Sequence, residues 1–484
     1  MNVRCTKIFI FLTLFSTVWK PYATAQLPAD SLFLFTPEQL LTIVAANHPV
    51  ARQAQLLTDQ AQAEVMRARG MFDPKLYGDW ERKYFGGKSY FDVGEYGLKV
   101  PTWYGVEVKM AYQHARGILL NPEDALPEAG QAMLGFELNL LRGLLLDDRR
   151  AALARAKVAR QTNEQGRQAM LNDLYFEALK AYWSWAWEYA QLDILRQALQ
   201  VAGQRLTGIR ESYTYGDLPA IDTVEALIQV QNRQLELTDA TNSFVNATFQ
   251  LSTFLWDTDG APIILAPDSV RAVAVGDLAV GQADFPEREN LLLMLQKEHP
   301  ELLRYRNQLA ELDIERRWKL EQFKPELRLQ YNFLADGLDF SRPAEDAWLE
   351  SALLENYKLG LQFGFPLFLR KERGSLQLTK LKQLETQLKL DQKSQELVNK
   401  LSGYLQSIQA LQSQILTAEA MVANYRSLLD AENGKFQVGE SSLFLINSRE
   451  NKLIEGQQKL LKLKTELMKT QAALRWVAGT LHRD

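Results

Sequence analysis

Apolar positions along this chain follow two different periods, and each period occupies its own stretch. Leu174, Ala178, Ala181, Trp185, Leu192, Leu195, Leu199, Ala202 and Leu206 recur at alternating steps of three and four. The same phase returns 223 residues later at Leu397, Leu401, Tyr404, Ile408, Ile415, Ala418, Val422, Tyr425 and Leu429. A period near 3.5 predicts long helices with a coiled-coil seam. Elsewhere the alternation is strict. Leu327, Leu329, Tyr331 and Phe333 are separated by Arg328, Gln330 and Asn332, and Tyr357, Leu359, Leu361, Phe363 and Phe365 by Lys358, Gly360, Gln362 and Gly364. Leu134, Phe136, Leu138 and Leu140 alternate with Gly135, Glu137 and Asn139, and a less regular run spans Leu76 to Tyr84. Period two predicts strands with one apolar and one polar face.

The shared phase is one sign of an internal duplication. Asn47-His48-Pro49 recurs as Glu298-His299-Pro300, and Phe72-Asp73-Pro74 as Phe323-Lys324-Pro325, with 25 residues between the prolines in both copies. Arg150 to Gly216 and Arg373 to Gly439 are both 66 residues, and from each glycine 35 more reach Leu251 and Leu474. The copies differ by 28 residues, all between the second proline and the arginine. Each copy opens with a helix; in the first, Thr36 is a good N-cap, Pro37 suits the first helical position, Gln39 completes a capping box, and Phe35 with Leu40 can form a hydrophobic staple. A helix of 66 residues is roughly 100 Å long at 1.5 Å per residue, more than a compact globular domain accommodates. The return segments are about half that length, as are the opening helices, so two of them end to end match one long helix. Each copy is then a two-column helical hairpin turning at Gly216 or Gly439.

The resulting organisation is a signal peptide over 1–25; a first repeat over 26–256 with helix 36–71, β segment 75–141, long helix 149–215 and return helix 219–255; a linker over 257–290; and a second repeat over 291–484 with helix 291–323, β segment 326–366, long helix 370–437 and return helix 442–481. The extra 28 residues contain Tyr96, Leu98 and Val100, then Tyr104, Val106, Val108, Met110 and Tyr112, around Pro101-Thr102-Trp103. This is an added hairpin, which either enlarges the sheet or sits outside it.

Composition changes the picture little until the ends are considered. The 484 residues are 46% apolar and 24% charged, with a net charge of -4 and no basic run, which argues against nucleic acid as a partner. A mean hydropathy of -0.24 argues against a bundle of lipid-facing helices. Arg4 and Lys7 precede an apolar core from Ile8 to Val18, and Ala23-Thr24-Ala25 offers a cleavage site before Gln26. Those eleven residues are too few to cross a bilayer, which needs about 20. Cleavage would remove Cys5, the only cysteine, and take the net charge to -7. An exported chain whose alternating strands are polar with charge on one face and aromatic-rich on the other fits a transmembrane barrel with a wet lumen. Four strands cannot close a barrel, and open edges are not tolerated in lipid, so the chain forms a closed oligomer or is not a membrane protein. Three copies give twelve strands and twelve helical columns.

Together these features resemble the TolC-type outer-membrane efflux proteins over nearly the whole mature chain. The resemblance rests on the duplication, the capped opening helix, Phe365-Pro366-Leu367-Phe368 at a strand-to-helix junction, Leu140-Leu141-Arg142-Gly143 with Arg149-Arg150 at the matching place, and the aromatic-x-x-Gly turns at Gly216 and Gly439. It implies an α+β membrane protein in which tandem-repeat long α-helical hairpins, a coiled-coil α-barrel, continue into an antiparallel transmembrane β-barrel shared by a homotrimer. Residues between the copies would add to an equatorial belt. The implied function is a passive duct of a tripartite efflux or type I secretion system, working with a periplasmic adaptor protein and an inner-membrane pump, in contact with outer-membrane lipid, with no cofactor and no catalytic residue. In such proteins the helix turns meet the adaptor, which points to Tyr213, Gly216 and Leu218 in copy one and Phe436 and Gly439 in copy two. Acidic residues just past the turns ring the aperture; Asp222 and Glu225 fit, whereas their counterparts Leu445 and Ser448 do not. That difference argues against a strong cation-binding ring and offers Leu445 as an apolar constriction.

Enzymatic alternatives find little. His48, His114, His299 and His482 form no metal-ligand pattern, His48 and His299 being repeat copies expected within helices, and no phosphate loop or nucleophile elbow is present. Trp183, Trp185 and Trp187 splay around a helix axis and suit packing. The competing reading is a soluble periplasmic coiled-coil scaffold without a channel.

Overall fold

A computed structural model describes residues 33–267, 270–277, 287–337 and 356–481. The expected signal peptide over 1–25, parts of the linker, the segment between the last two strands and His482 lie outside the described residues. Each repeat opens as two helices instead of the single one expected. In the first, α1 spans Pro37–Asn47 and α2 spans Pro49–Arg69. Thr36 caps α1 through a reciprocal box: its hydroxyl accepts from the Gln39 N–H at 3.3 Å, and the Gln39 side chain accepts from the Thr36 N–H at 3.0 Å. The break follows from Pro49, which lacks an N–H and forces the preceding residue out of the helical region; His48 is extended, with ψ of 135°. The second repeat breaks in the same way into α5, Arg288–Glu298, and α6, Pro300–Glu321, with His299 extended and its Nδ1 accepting the Glu301 N–H at 3.3 Å. His48 and His299 therefore sit between helices, not within them as the repeat pattern suggested.

The long helices follow. They are α3, Asp148–Tyr215; α4, Ala220–Ser252; α7, Arg370–Gln437; and α8, Leu443–Ala478. Contacts divide the chain into two compact units, and the division cuts across both repeats. One takes Met1–Pro49, Ala178–Leu278 and Ala418–Thr465; the other takes Val50–Glu177, Ala279–Thr417 and Glu466–Asp484.

The first unit is built on an aromatic core. Trp185 and Tyr182 are fully buried, and Trp185 packs with Phe35, Tyr189 and Phe244 while donating its indole N–H to Thr248 at 3.0 Å. This is packing of the kind expected for the tryptophan cluster. A short parallel pair, β1 (Phe33–Phe35) with β6 (Val270–Ala272), straps the core. Tyr182 fastens the strap at both strands, donating its hydroxyl to the Phe35 carbonyl at 2.6 Å and accepting from the Val273 N–H at 3.4 Å. Buried Lys464 on α8 ties down the linker by donating to the Gly276 carbonyl at 2.8 Å and pairing with Glu419 at 3.0 Å.

The second unit holds a six-stranded antiparallel sheet in the order β2 (Lys75–Phe85), β3 (Lys88–Pro101), β4 (Val106–Arg116), β5 (Gln131–Asn139), β7 (Glu326–Asp336), β8 (Tyr357–Gly364). The added hairpin is β3–β4. It lies inside the sheet, between β2 and β5, which decides between the two placements the sequence allowed. Its turn is held by Thr102, whose N–H and hydroxyl both donate to the Val106 carbonyl, and by Gly105 at φ of 83°. Below the sheet, Ala68 and Phe72 pack against Leu153, and Phe72 stacks on Trp103 at 4.1 Å.

Candidate docking turns and a two-faced sheet

Residues directly opposite one another across a ladder share a face, so the register assigns both faces of the sheet. One carries Glu95, Lys99, Glu107, Lys109, Glu137, Arg328, Gln330 and Lys358. These groups pair among themselves: Lys109 with Glu95 at 2.7 Å, Gln113 donating to Glu95 at 2.5 Å, Arg328 with Glu137 at 3.2 Å, and Arg149 at the start of α3 with Glu107 at 2.7 Å. The other face carries Leu76, Trp80, Leu98, Met110, Phe136, Leu329, Tyr331, Leu361 and Phe363. Tyr331 stacks on Tyr357 at 5.6 Å and on Phe136 at 6.0 Å, yet Leu76, Trp80, Leu361 and Phe363 stay exposed. Among the described residues, both outer strands, β2 and β8, pair on one side only.

The two helix turns, in the first unit, end α3 and α7 with the same backbone device. Gly216 sits at φ of 84°; its N–H donates to the Tyr213 carbonyl at 3.0 Å, and the Asp217 N–H to Ser212 at 2.9 Å. Gly439 sits at φ of 79°, with Gly439 N–H to Phe436 at 3.0 Å and Glu440 N–H to Lys435 at 2.9 Å. Both are Schellman caps, in which glycine takes the left-handed position without steric cost.

Around these caps the expected contact residues separate into two kinds. Tyr213 is exposed, while Leu218 and Phe436 turn inward onto a cluster of Leu206, Ile209, Ala226 and Leu443. Tyr215, Val438 and Phe444, which the sequence reading did not single out, are exposed apolar groups at the same turns. Asp222, Glu225 and Ser448 are half-buried and Leu445 is exposed. Glu225 accepts from Asn447 at 3.3 Å, which links α4 to α8.

The second turn replaces apolar packing with a polar network that the sequence reading missed. The 223-residue offset matches Ile209 to Glu432, Leu218 to Ser441 and Ala226 to Arg449. Ser441 donates to buried Glu432 at 2.6 Å, and Arg449 lies 3.6 Å from the same carboxyl. The Ser441 hydrogen bond, with Lys435 and Arg449 nearby, holds the Glu432 carboxyl below its ordinary range. One layer further in, Arg205 of α3 donates to Glu450 at 2.5 Å and to Asn447 at 3.2 Å, while buried Arg233 of α4 reaches Asn451 and pairs with Glu236 at 2.6 Å. Comparing the copies position by position is the signal that would have exposed the swap at Glu432. Nothing in the sequence marks Arg233 as buried or Arg205 as half-buried.

Among the described residues, no group of three or more His, Cys, Asp or Glu could hold a metal ion, and no helix is long and apolar enough to cross a membrane. Residues 291–480 match the family described as outer membrane efflux protein. No curated protein matches the chain. Among solved structures, the chain is similar to the CmeC outer membrane channel of Campylobacter jejuni at 14% identity and a TM-score of 0.66, covering 99% of this chain and 94% of that one. It is similar to the open state of the MtrE outer membrane channel of Neisseria gonorrhoeae at 13% identity and a TM-score of 0.66, covering 99% of each. The outer membrane protein VceC of Vibrio cholerae matches at 18% identity and a TM-score of 0.61, covering 92% of this chain and 96% of that one. At such identities the likeness is one of fold.

Proposed function

Because residues 291–480 match the outer membrane efflux protein family and the whole chain is similar in fold to solved outer membrane channels, we propose that this protein is the outer-membrane duct of a tripartite efflux or type I secretion system. In this reading it sits in the outer membrane as a homotrimer, extends into the periplasm, and receives cargo from an inner-membrane pump through a periplasmic adaptor. The observation that carries the reading is the sheet. It has a charged face, an exposed aromatic-rich face and two unpaired edges, an arrangement unsuited to a free monomer in water or in lipid. Joining β2 of one copy to β8 of the next would close three copies into a barrel of eighteen strands. The polar face then lines the lumen. It carries both signs, so the duct imposes little charge selection and the pump does the choosing.

At the helix turns, Tyr213, Tyr215, Val438 and Phe444 are the groups available to an adaptor. Gly216 and Gly439 set the turns, and Leu218 and Phe436 brace them from inside. Asp222, Glu225, Leu445 and Ser448 are assigned to the aperture, with Glu225 held by Asn447. Cysteine pairs scanned along β2 and β8 test the closure. Disulfide-linked trimers in the outer-membrane fraction, with conductance in planar bilayers, are expected. A monomer confined to the soluble fraction would establish the scaffold reading in its place.

A further inference from the structure

The places where strand gives way to long helix share a composition in both repeats. At the 223-residue offset, Leu144 and Leu145 match Leu367 and Phe368. All four are exposed, Leu144 at 45%, Leu145 at 72%, Leu367 at 84% and Phe368 at 70%. A single exposed leucine is ordinary, but adjacent large apolar pairs bared at matched positions call for a partner. In the second copy the pair directly continues the exposed apolar row Leu359, Leu361, Phe363 and Phe365.

The backbone there is strained. Leu369 has φ of 49°, the one non-glycine residue at positive φ among the described residues. Strain of that kind persists where the surroundings require a particular chain direction. Here it makes the corner between Pro366 and α7, with Leu367 and Phe368 left bare on the approach.

Three cations follow immediately. Arg370, Lys371 and Arg373 occupy the first turn of α7, are exposed, and form no ion pair among the described residues. Arg370 lies over the Phe368 ring, 5.1 Å from its centroid, and forms no ion pair with an acid among the described residues, Glu372 of the same turn included. The helix dipole disfavours cations at this end, so the helix itself gains nothing from them. The first copy differs. Asp147 and Asp148 match Arg370 and Lys371. Its own cations are satisfied internally, Arg149 by Glu107 at 2.7 Å, and Arg150 by Asp147 at 3.3 Å and the Gly143 carbonyl at 2.6 Å.

We propose that the junction Leu367–Arg373 is an anionic-phospholipid site at the periplasmic leaflet, with Leu367 and Phe368 set among acyl chains and Arg370, Lys371 and Arg373 on headgroup phosphate. Leu144 and Leu145 enter the same leaflet without a headgroup partner. The assignment rests on the reading that the sheet spans the outer membrane. Apolar wedge and adjacent unpaired cations together are what an anionic interface recognises.

Two measurements on the full chain test it. In a Cys5→Ser background, spin labels are placed at Leu367→Cys and, on the apolar face of β8, at Leu361→Cys, and the protein is reconstituted in phosphatidylcholine discs with and without phosphatidylglycerol. Both labels are expected to be relaxed by oxygen in preference to a nickel chelate. Nickel access at 367 with oxygen access at 361 overturns the lipid site and leaves the membrane reading standing; nickel access at both overturns both. Shielding of 367 from both relaxants identifies a second copy as the occupant and also overturns the site. Native mass spectrometry then counts retained lipid. Arg370→Gln, Lys371→Gln and Arg373→Gln together should lower bound phosphatidylglycerol several-fold, while Lys380→Gln with Lys382→Gln leaves it unchanged. Equal retention by both variants overturns the headgroup assignment.

Discussion

Arg205→Ala would leave the Glu450 carboxylate buried at 5% exposure without its cation, between helices that belong to different repeats. At 2.5 Å and an effective dielectric near 20 the pair's Coulomb attraction is about 7 kcal/mol, an upper figure because both ions were also taken out of water. Desolvation of several kcal/mol per ion offsets most of it, so the intact pair is worth little net. Breaking it from one side costs about 3–5 kcal/mol, since the survivor keeps the penalty and loses the attraction. Asn447 also loses the hydrogen bond it accepts from Arg205 at 3.2 Å, which keeps the estimate from falling below this range. For a unit of this size that is a fall in melting temperature of roughly 6–20 °C. Arg205→Met with Glu450→Leu removes both charges at similar volume and should melt within a few degrees of the unmodified protein. The assay is tryptophan fluorescence on heating the detergent-solubilised full chain. If the single substitution melts with the parent, or the double melts as low as the single, the cost does not come from an orphaned charge and the reasoning fails.

Other expectations follow the same logic. Valine at Gly216 and Gly439 meets no neighbouring atom but must adopt a left-handed backbone at about 1–3 kcal/mol per site; drug-susceptibility assays should show efflux lost while cross-linked trimers persist in the outer membrane. Tyr182→Phe removes both hydrogen bonds that fasten β1 and β6, at about 1–3 kcal/mol, and limited proteolysis should then cut near Phe33–Phe35 first. Burial raises the Asp173 carboxyl above its ordinary value of 3.8, although the Trp476 N–H and Lys393 pull it down, so the folded chain holds that proton more tightly than the unfolded one. Its contribution is therefore fully present below 3.8 and is lost as pH rises through the elevated folded value; melting curves of Asp173→Asn should lack that decline.

Strands and long helices were legible in the chain because their periods are short and uninterrupted. The added hairpin could be read around Pro101-Thr102-Trp103 for that reason, but its place in the sheet could not, since pairing partners carry no local mark. The helix breaks at His48 and His299 were hidden by an apolar pattern that resumes at once after each proline, Pro49 being well suited to begin a helix. At the helix turns the glycines announced themselves through their backbone demands. Leu218 and Phe436 did not reveal that they point inward, and nothing local marked Glu432 and Glu450 as buried or Arg205 as half-buried between the helices. Hydrophobic pattern specifies which face of an element is covered; it does not specify which charges are covered with it.

The sheet takes β2 to β5 from the first repeat and only β7 and β8 from the second, so the two products of the duplication are unequal in the wall. Barrel diameter grows roughly in proportion to strand number. Without the β3–β4 hairpin each chain would supply four strands; with it each supplies six, and the calibre of a three-chain pore grows by about half. In the proposed trimer this one hairpin, present three times, would set the bore.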